Sequence, residues 1–125
     1  MGRPAIFGRA PCYYRQLGQT GLAVSVLSLG ASSLGGVFGE IDEAEGIRTV
    51  RAALDLGVNF LDVSPYYGAT RAETVLGRAL KGIARARYIL ATKVGQYGEG
   101  DSDFSASRVT RGFEESCARL GTDYI

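Results

Sequence analysis

Three side chains in the middle of the sequence are of the types needed for proton transfer. Asp62 and Lys93 each follow a short apolar run, and Tyr67 lies five positions after Asp62. An ammonium close to a phenol favours the phenolate, and a carboxylate beside the ammonium keeps it charged and oriented. A tyrosine in this setting exchanges a proton with a carbonyl or hydroxyl oxygen. That exchange accompanies hydride transfer between carbon and a nicotinamide cofactor.

Each of these residues also has a simpler interpretation. A carboxylate after an apolar run is often a loop residue or a helix cap, a strand-end lysine is often only solvated, and Tyr67 has a second tyrosine, Tyr66, beside it. A different chemistry would use the Lys93 amine to form a Schiff base, as an isomerase does. Because that alternative gives Asp62 and Tyr67 no shared role, the three residues together favour a proton relay.

Three helices must help to position these side chains. Each is predicted to begin after a residue typical of an N-cap, and the first two have a Glu three positions later, the spacing of a capping box. Each is predicted to end at a glycine. The predicted helices lie between Asp42 and Gly57, between Thr70 and Gly82, and between Ser105 and Gly121. Apolar residues recur at helical spacing within them, which predicts the core positions Ile47, Val50, Leu54, Leu76, Leu80, Val109, Phe113, Cys117 and Leu120.

Apolar runs before the helices predict strands. A hairpin-like segment at residues 13–21 precedes a β-rich run at 22–29, and further runs follow at 58–61 and 88–91. A polar loop is predicted at 95–103, and residues 123–125 are typical of the start of a fourth strand. Strands that alternate with helices predict an α/β fold with a parallel sheet.

The loop after the first of these strands helps to choose between two parallel folds. It reads GASSLGG, which lacks both the GxGxxG fingerprint and the lysine of a P-loop, and this disfavours a doubly wound sheet. A (β/α)8 TIM barrel takes about 250 residues. Three βα units and the start of a fourth strand in 125 residues therefore predict the N-terminal half of such a barrel. We predict a disordered leader at 1–12 and a partial barrel domain at 13–125, truncated at its C-terminus.

Composition excludes several classes of function. Lys and Arg number 14 and Asp and Glu number 13, so the net charge of +1 argues against a nucleic-acid partner. The absence of histidine excludes Ser-His-Asp catalysis and histidine zinc sites within these residues. Cys12 and Cys117 form no CxxC motif, which favours a reducing, cytoplasmic location. No apolar run approaches the roughly 20 residues that span a membrane. The arginine-rich start permits a transit peptide, but Pro4 and Pro11 would interrupt its helix.

Several segments, quoted as they stand, are similar to one known family. GVNFLDVSPYYGATRAETVLGRALKG at 57–82 resembles the aldo-keto reductase family, as do YILATKVG at 88–95 and YRQLGQTGLAVSVLSLGASSLGG at 14–36. The resemblance covers residues 14–125, and it implies a TIM barrel in which Asp62, Tyr67 and Lys93 are catalytic. The fourth catalytic residue of that family, a His after the fourth strand, has no counterpart in this sequence.

The resemblance also implies a cofactor and a substrate class. The cofactor is NAD or NADP, and its nicotinamide end would lie against Gly30, Ala31, Ser32 and Asp62. The segments DVSPYYG, ATKVGQY and DFSASRV are most similar to family members that oxidise the anomeric hydroxyl of an aldose, such as L-galactose, to a lactone. A small aldose or aldehyde is thus the implied substrate, while the oligomeric state stays open. The alternative is a catalytically incomplete fragment, since a truncated half-barrel exposes its sheet edges.

Overall fold

The structure is a computed structural model, and it describes residues 12–125. The predicted leader therefore lies outside the described residues, apart from Cys12. Strands and helices follow one another in the order β1 Tyr14–Gln16, β2 Ala23–Ser25, β3 Leu29–Gly30, α1 Glu43–Asp55, β4 Phe60–Asp62, α2 Arg71–Leu80, β5 Ile89–Ala91, β6 Gln96–Gly98, β7 Asp101–Ser102 and α3 Ala106–Leu120.

A three-stranded parallel sheet forms the centre of the described region. Its strand order is β3–β4–β5, and α1 and α2 make the two crossovers. Gly30 pairs with Asp62, and Asp62 pairs with Ala91, so the three strands end at the same level. The predicted parallel sheet is confirmed, and its carboxyl edge brings together the residues that follow each strand.

Alternate side chains of the sheet point to opposite faces. Leu61, Val63 and Leu90 are buried beneath the helices. Phe60 and Asp62 lie on the other face and are only half-buried. The apolar core is therefore between the sheet and the inner faces of α1 and α2, with Leu120 of α3 at its border.

Local capping fixes the starts of two helices as predicted. The Asp42 carboxylate accepts a hydrogen bond from the Glu45 N–H at 3.2 Å and begins α1. The Ser105 hydroxyl accepts one from the Arg108 N–H at 3.3 Å and begins α3. α3 then ends at Gly121, whose φ of +68° is the left-handed conformation that glycine adopts without strain.

The start of α2 differs from the prediction. Thr70 does precede the helix, but its side chain makes no capping bond and its φ is +76°. Gly68, Ala69 and Thr70 all have positive φ. The backbone of Gly68 also lies against the backbone of Gly35, with no room for a Cβ. The predicted capping box at Thr70 and Glu73 is wrong, and the Glu73 carboxylate lies in the interior instead.

The segment predicted as a polar loop at 95–103 contains an antiparallel hairpin of β6 and β7. The Tyr97 ring is buried, and its hydroxyl accepts a hydrogen bond from the Gly95 N–H at 3.1 Å. The same hydroxyl lies against Gly112 of α3, where a Cβ would not fit. Tyr97 therefore packs the hairpin against α3. The polar composition of the segment gives no indication of this role.

The C-terminal quarter shows three further differences. Gly112, Ser116 and Leu120 form the buried face of α3, so Phe113, predicted as core, is 42% exposed. Cys117 is only half-buried, and that burial raises the pKa of its thiol. Residues 123–125 join no strand of the described region.

Candidate active site

An ion pair lies at the carboxyl edge of the sheet, where β4 and β5 end. The Lys93 Nζ donates to both carboxylate oxygens of Asp62, at 2.8 and 3.0 Å, and to the carbonyl oxygen of Val63 at 2.9 Å. An ammonium has three N–H donors, and all three have acceptors here. The two side chains are 46% and 39% exposed, so the pair is open to a molecule that approaches this edge.

Tyr67 lies on the same edge. The Lys93 Nζ is 5.6 Å from the centre of the Tyr67 ring, within the range of a cation–π contact. Because the ammonium donors are directed to Asp62 and Val63, Lys93 contacts the Tyr67 ring without a hydrogen bond. The structure thus brings together the acid, the phenol and the amine that were singled out by sequence.

A close contact between two loops holds Tyr67 in place. A Cβ on Gly35 would stand 2.5 Å from the Tyr67 carbonyl oxygen, so only glycine lets the loop after β3 approach the loop after β4. The Tyr67 N–H donates to the backbone carbonyl oxygen of Ser64 at 3.1 Å. The backbone carbonyl oxygen of Tyr67 accepts a hydrogen bond from the Ala72 N–H at 3.2 Å. The backbone on both sides of the tyrosine is therefore fixed before any ligand binds.

Residues at the end of β3 border open space beside the ion pair. Gly30 is opposite Asp62 in the ladder, and nothing lies within 4 Å of the position a Cβ would take. Ser32 is half-buried and opens a short 3-10 turn, Ser32–Gly35. Ala31 is buried, and its N–H donates to the backbone carbonyl oxygen of Asp62 at 2.8 Å. The surface at Gly30 beside Asp62 is therefore open, while the Ala31 hydrogen bond keeps the two strand ends together.

A second charged cluster lies behind the first and was missed as a site. The Glu73 carboxylate is fully buried, and it accepts from the Thr92 hydroxyl at 2.6 Å and from the Arg119 Nε at 2.7 Å. Glu73 precedes Leu76 and Leu80 by three and seven positions, which is the spacing of one helix face. That periodicity places Glu73 on the core face of α2, and it was the signal available in the sequence.

Among the described residues, two further kinds of functional feature are absent, a metal cluster and a membrane-spanning helix, and a groove is present. Among residues 12–125, no group of three or more His, Cys, Asp or Glu side chains is arranged to hold a metal ion. No helix in this part of the chain is both long and apolar enough to cross a bilayer. A groove of about 770 Å³ lies between the C-terminal ends of α2 and α3, and none of the predicted site residues lines it.

Comparison with known proteins gives a consistent result. Residues 26–125 match the model of the aldo/keto reductase family. The chain is 52% identical over 113 residues to L-galactose dehydrogenase of Arabidopsis thaliana, an alignment that covers 89% of this chain and 35% of that protein. It is 37% identical over 117 residues to the aldo-keto reductase YhdN of Bacillus subtilis, covering 90% of this chain and 35% of that one.

A solved structure gives the same picture for the fold. The aldo-keto reductase AKR11C1 from Bacillus halodurans, in its holo form, superimposes with a TM-score of 0.79 at 36% identity, covering 92% of this chain and 38% of that chain. The chain thus spans little more than a third of the length of these relatives. Because they are (β/α)8 barrels, the predicted N-terminal portion of a TIM barrel is confirmed. The match over residues 26–125 shows that this chain belongs to the aldo/keto reductase family.

Proposed function

We propose that the whole protein is a nicotinamide-dependent oxidoreductase that oxidises an aldose such as L-galactose at its anomeric carbon. The observation that carries the proposal is the Lys93 ammonium, which Asp62 holds beside the Tyr67 ring at the carboxyl edge. The 52% identity to L-galactose dehydrogenase supports an aldose as the substrate. Because this chain spans 35% of that relative, the activity is proposed for the complete polypeptide.

The proposed step moves one proton and one hydride. The Tyr67 phenolate accepts the proton of the C1 hydroxyl as the C1–O bond becomes the carbonyl of the lactone. The hydrogen on C1 leaves with its electron pair as a hydride, and NAD or NADP supplies the acceptor for it. Lys93 stabilises the phenolate by its charge, and Asp62 orients Lys93. In the reverse direction the lactone carbonyl carbon would receive the hydride back and the Tyr67 phenol would return the proton to its oxygen, so both directions use the same residues.

The residues at the end of β3 would hold the nicotinamide end of the cofactor. Gly30 offers the open surface, and Ser32 and Asp62 offer polar groups beside it. The Ala31 N–H is bonded to the backbone carbonyl oxygen of Asp62. Ala31 would therefore act by keeping the backbone of β3 next to β4. This assignment predicts that a larger side chain at Gly30 blocks the nicotinamide.

The geometry favours this role for Lys93 over a Schiff-base mechanism. A Schiff-base lysine must attack as a neutral amine, whereas the Lys93 Nζ is positioned as a donor to three oxygen acceptors. We therefore expect no substrate adduct on Lys93 after borohydride treatment in the presence of aldose.

The adjacent tyrosines allow a matched test. In the full-length protein, Tyr67→Phe should lower the turnover of aldose-dependent nicotinamide reduction by roughly 10²- to 10⁴-fold, the usual share of general acid–base catalysis. Tyr66→Phe removes the same hydroxyl from an exposed neighbour and should leave turnover unchanged. Affinity for NAD and NADP, measured by fluorescence titration, should be unaffected by either substitution.

The same assay, run with a panel of aldoses and both cofactors, sets the substrate and cofactor. Unchanged turnover in Tyr67→Phe would remove this residue from proton transfer. Failure of the wild-type protein to reduce either cofactor with any aldose would overturn the proposed activity. Assay of the 125-residue chain alone tests the alternative that it is a catalytically incomplete fragment, and we expect no turnover from it.

A further inference from the structure

The end of β5 is held differently from the rest of the sheet. The ladder between β4 and β5 ends with the hydrogen bond from the Val63 N–H to the Ala91 oxygen, at 2.9 Å. Among the described residues, the hydrogen bonds that hold Thr92 and Lys93 are made by their side chains. The direction of Lys93 therefore depends on side-chain contacts on both faces of this two-residue extension.

These contacts are on opposite faces. Lys93 reaches Asp62 and the Val63 oxygen on the open face of the sheet. Thr92, one residue earlier, points to the helix side, where its hydroxyl donates to Glu73 at 2.6 Å. Because successive side chains of an extended segment alternate between faces, fixing Thr92 from behind also fixes the direction in which Lys93 leaves the backbone.

The buried Glu73 carboxylate is stabilised by an opposite charge and by hydrogen bonds. A buried charge is costly unless it is paired and hydrogen-bonded, and the Arg119 guanidinium supplies the opposite charge from α3. The buried Ser116 hydroxyl lies 3.3 Å from the same guanidinium. Gly77 has no room for a Cβ against the Arg119 oxygen, and this close approach of α2 and α3 brings Arg119 within reach.

We propose that Glu73 is a positioning residue, which acts through Thr92 to hold Lys93 in register with Asp62 and Tyr67. The inference rests on the proposed function, because it assigns Glu73 to the reaction that Lys93 serves. It goes beyond that function by extending the site through the sheet to a buried ion pair between α2 and α3. Glu73 itself touches neither substrate nor cofactor.

Substitution of Thr92 tests whether Glu73 positions Lys93, and it introduces neither a cavity nor a new charge. In the full-length protein, Thr92→Val keeps the shape of the side chain and removes its hydroxyl, and turnover should fall about tenfold as Lys93 loses its fixed direction. KM for the aldose and Kd for the cofactor should stay within about twofold, since the binding surfaces are untouched. Thr92→Ser restores a hydroxyl and should recover most of the turnover. Thr74→Val removes a hydroxyl that donates to the Thr70 carbonyl oxygen, one turn earlier at the start of α2, and serves as the control.

A second readout reports on Lys93 directly. With ¹³C at the lysine Cε, the Lys81 and Lys93 signals are assigned by Lys→Arg substitution. In Thr92→Val the Lys93 signal should move and that of Lys81 should stay in place.

Equal turnover in Thr92→Val and Thr74→Val, equal impairment in Thr92→Val and Thr92→Ser, or an unmoved Lys93 signal would each overturn the positioning role. Wild-type protein without aldose-dependent nicotinamide reduction would overturn the proposed function instead, and the lysine spectra would still decide whether Thr92 fixes Lys93.

Discussion

Two of the ion pairs among residues 12–125 have nearly the same N–O distance and very different surroundings. Asp62 and Lys93 meet at 2.8 Å on the carboxyl edge of the sheet, with 39% and 46% of their side chains exposed. Glu73 and Arg119 meet at 2.7 Å between two helices, with 0% and 20% exposed. The geometry of the two contacts is therefore not what distinguishes them.

Burial decides what each pair does. An ion pair in water contributes about 0–1 kcal/mol to stability, so the Asp62–Lys93 pair adds little to the fold and remains accessible from solvent. A buried charge that loses its partner costs several kcal/mol. Glu73 lies on α2 and Arg119 on α3, so moving these two helices apart would carry that cost. The exposed pair is suited to chemistry and the buried pair to support, and Thr92, which is bonded to Glu73 and precedes Lys93 in the chain, lies between them.

The largest effect is expected from breaking the buried pair. Glu73→Ala leaves the Arg119 guanidinium and the Thr92 hydroxyl without their shared acceptor, and it should lower the free energy of unfolding by about 3–5 kcal/mol. Urea denaturation followed by circular dichroism measures the loss. Glu114→Ala, at an exposed position of the same helix as Arg119, is the control and should change stability by less than about 0.5 kcal/mol. A similar loss in both variants would mean that burial does not separate the two pairs.

A smaller loss is expected from pushing apart the helices that hold the buried pair. Gly77→Ala places a methyl group against the Arg119 carbonyl oxygen and should destabilise the fold by about 1–3 kcal/mol through overpacking. Gly98→Ala meets only an ordinary contact with Ala69 and should be tolerated. Thermal unfolding of the two variants distinguishes the cases, and equal midpoints would show that α2 and α3 can separate without cost.

The sequence was sufficient for the exposed pair because its geometry follows from local rules. Strands that alternate with helices lie parallel, and residues just after parallel strands share one edge, so Asp62, Tyr67 and Lys93 had to be neighbours. The caps at Asp42 and Ser105 were also predictable, since an N-cap bond joins residues three positions apart.

The buried pair was not predictable from the same rules. A Glu at the third position of a helix fits a capping box, and nothing local shows that Gly35 contacts Gly68 or that Thr70 takes a left-handed conformation. That contact joins residues 33 positions apart in the chain. Tyr97 was missed for a related reason, because its partner Gly112 belongs to another element. Non-local packing thus decided both cases.

The exposed pair should separate stability from activity. Asp62→Asn removes the charge that orients Lys93 while keeping the size of the side chain, so the free energy of unfolding should change by less than about 1 kcal/mol. Aldose-dependent nicotinamide reduction by the full-length protein should fall by at least about 10²-fold as the ammonium loses its orientation. Urea midpoints and turnover are measured on the same preparation. A large loss of stability with turnover preserved would reverse the roles assigned to the two pairs.

The smallest effect is expected at a fully exposed carboxylate, Asp103, which extends the comparison to a group with no burial at all. Its side chain accepts a hydrogen bond from the Ser105 N–H at 2.8 Å, and that bond, with a second contribution from the Ser105 hydroxyl, lowers the pKa of Asp103 below 3.8.

A carboxyl with a lowered pKa in the folded state stabilises the fold above its unfolded pKa, and this contribution is lost as the pH falls through the folded value. Asp103→Asn should therefore be less stable than wild type at neutral pH, with a difference that shrinks as the pH falls below 3.8 and vanishes once the pH is below the lower pKa of the folded state. Urea unfolding across that range measures the difference between the two proteins, so the other carboxylates cancel. A difference that grows as the pH falls would have the wrong sign for a lowered pKa and would remove the Ser105 hydrogen bond as its cause.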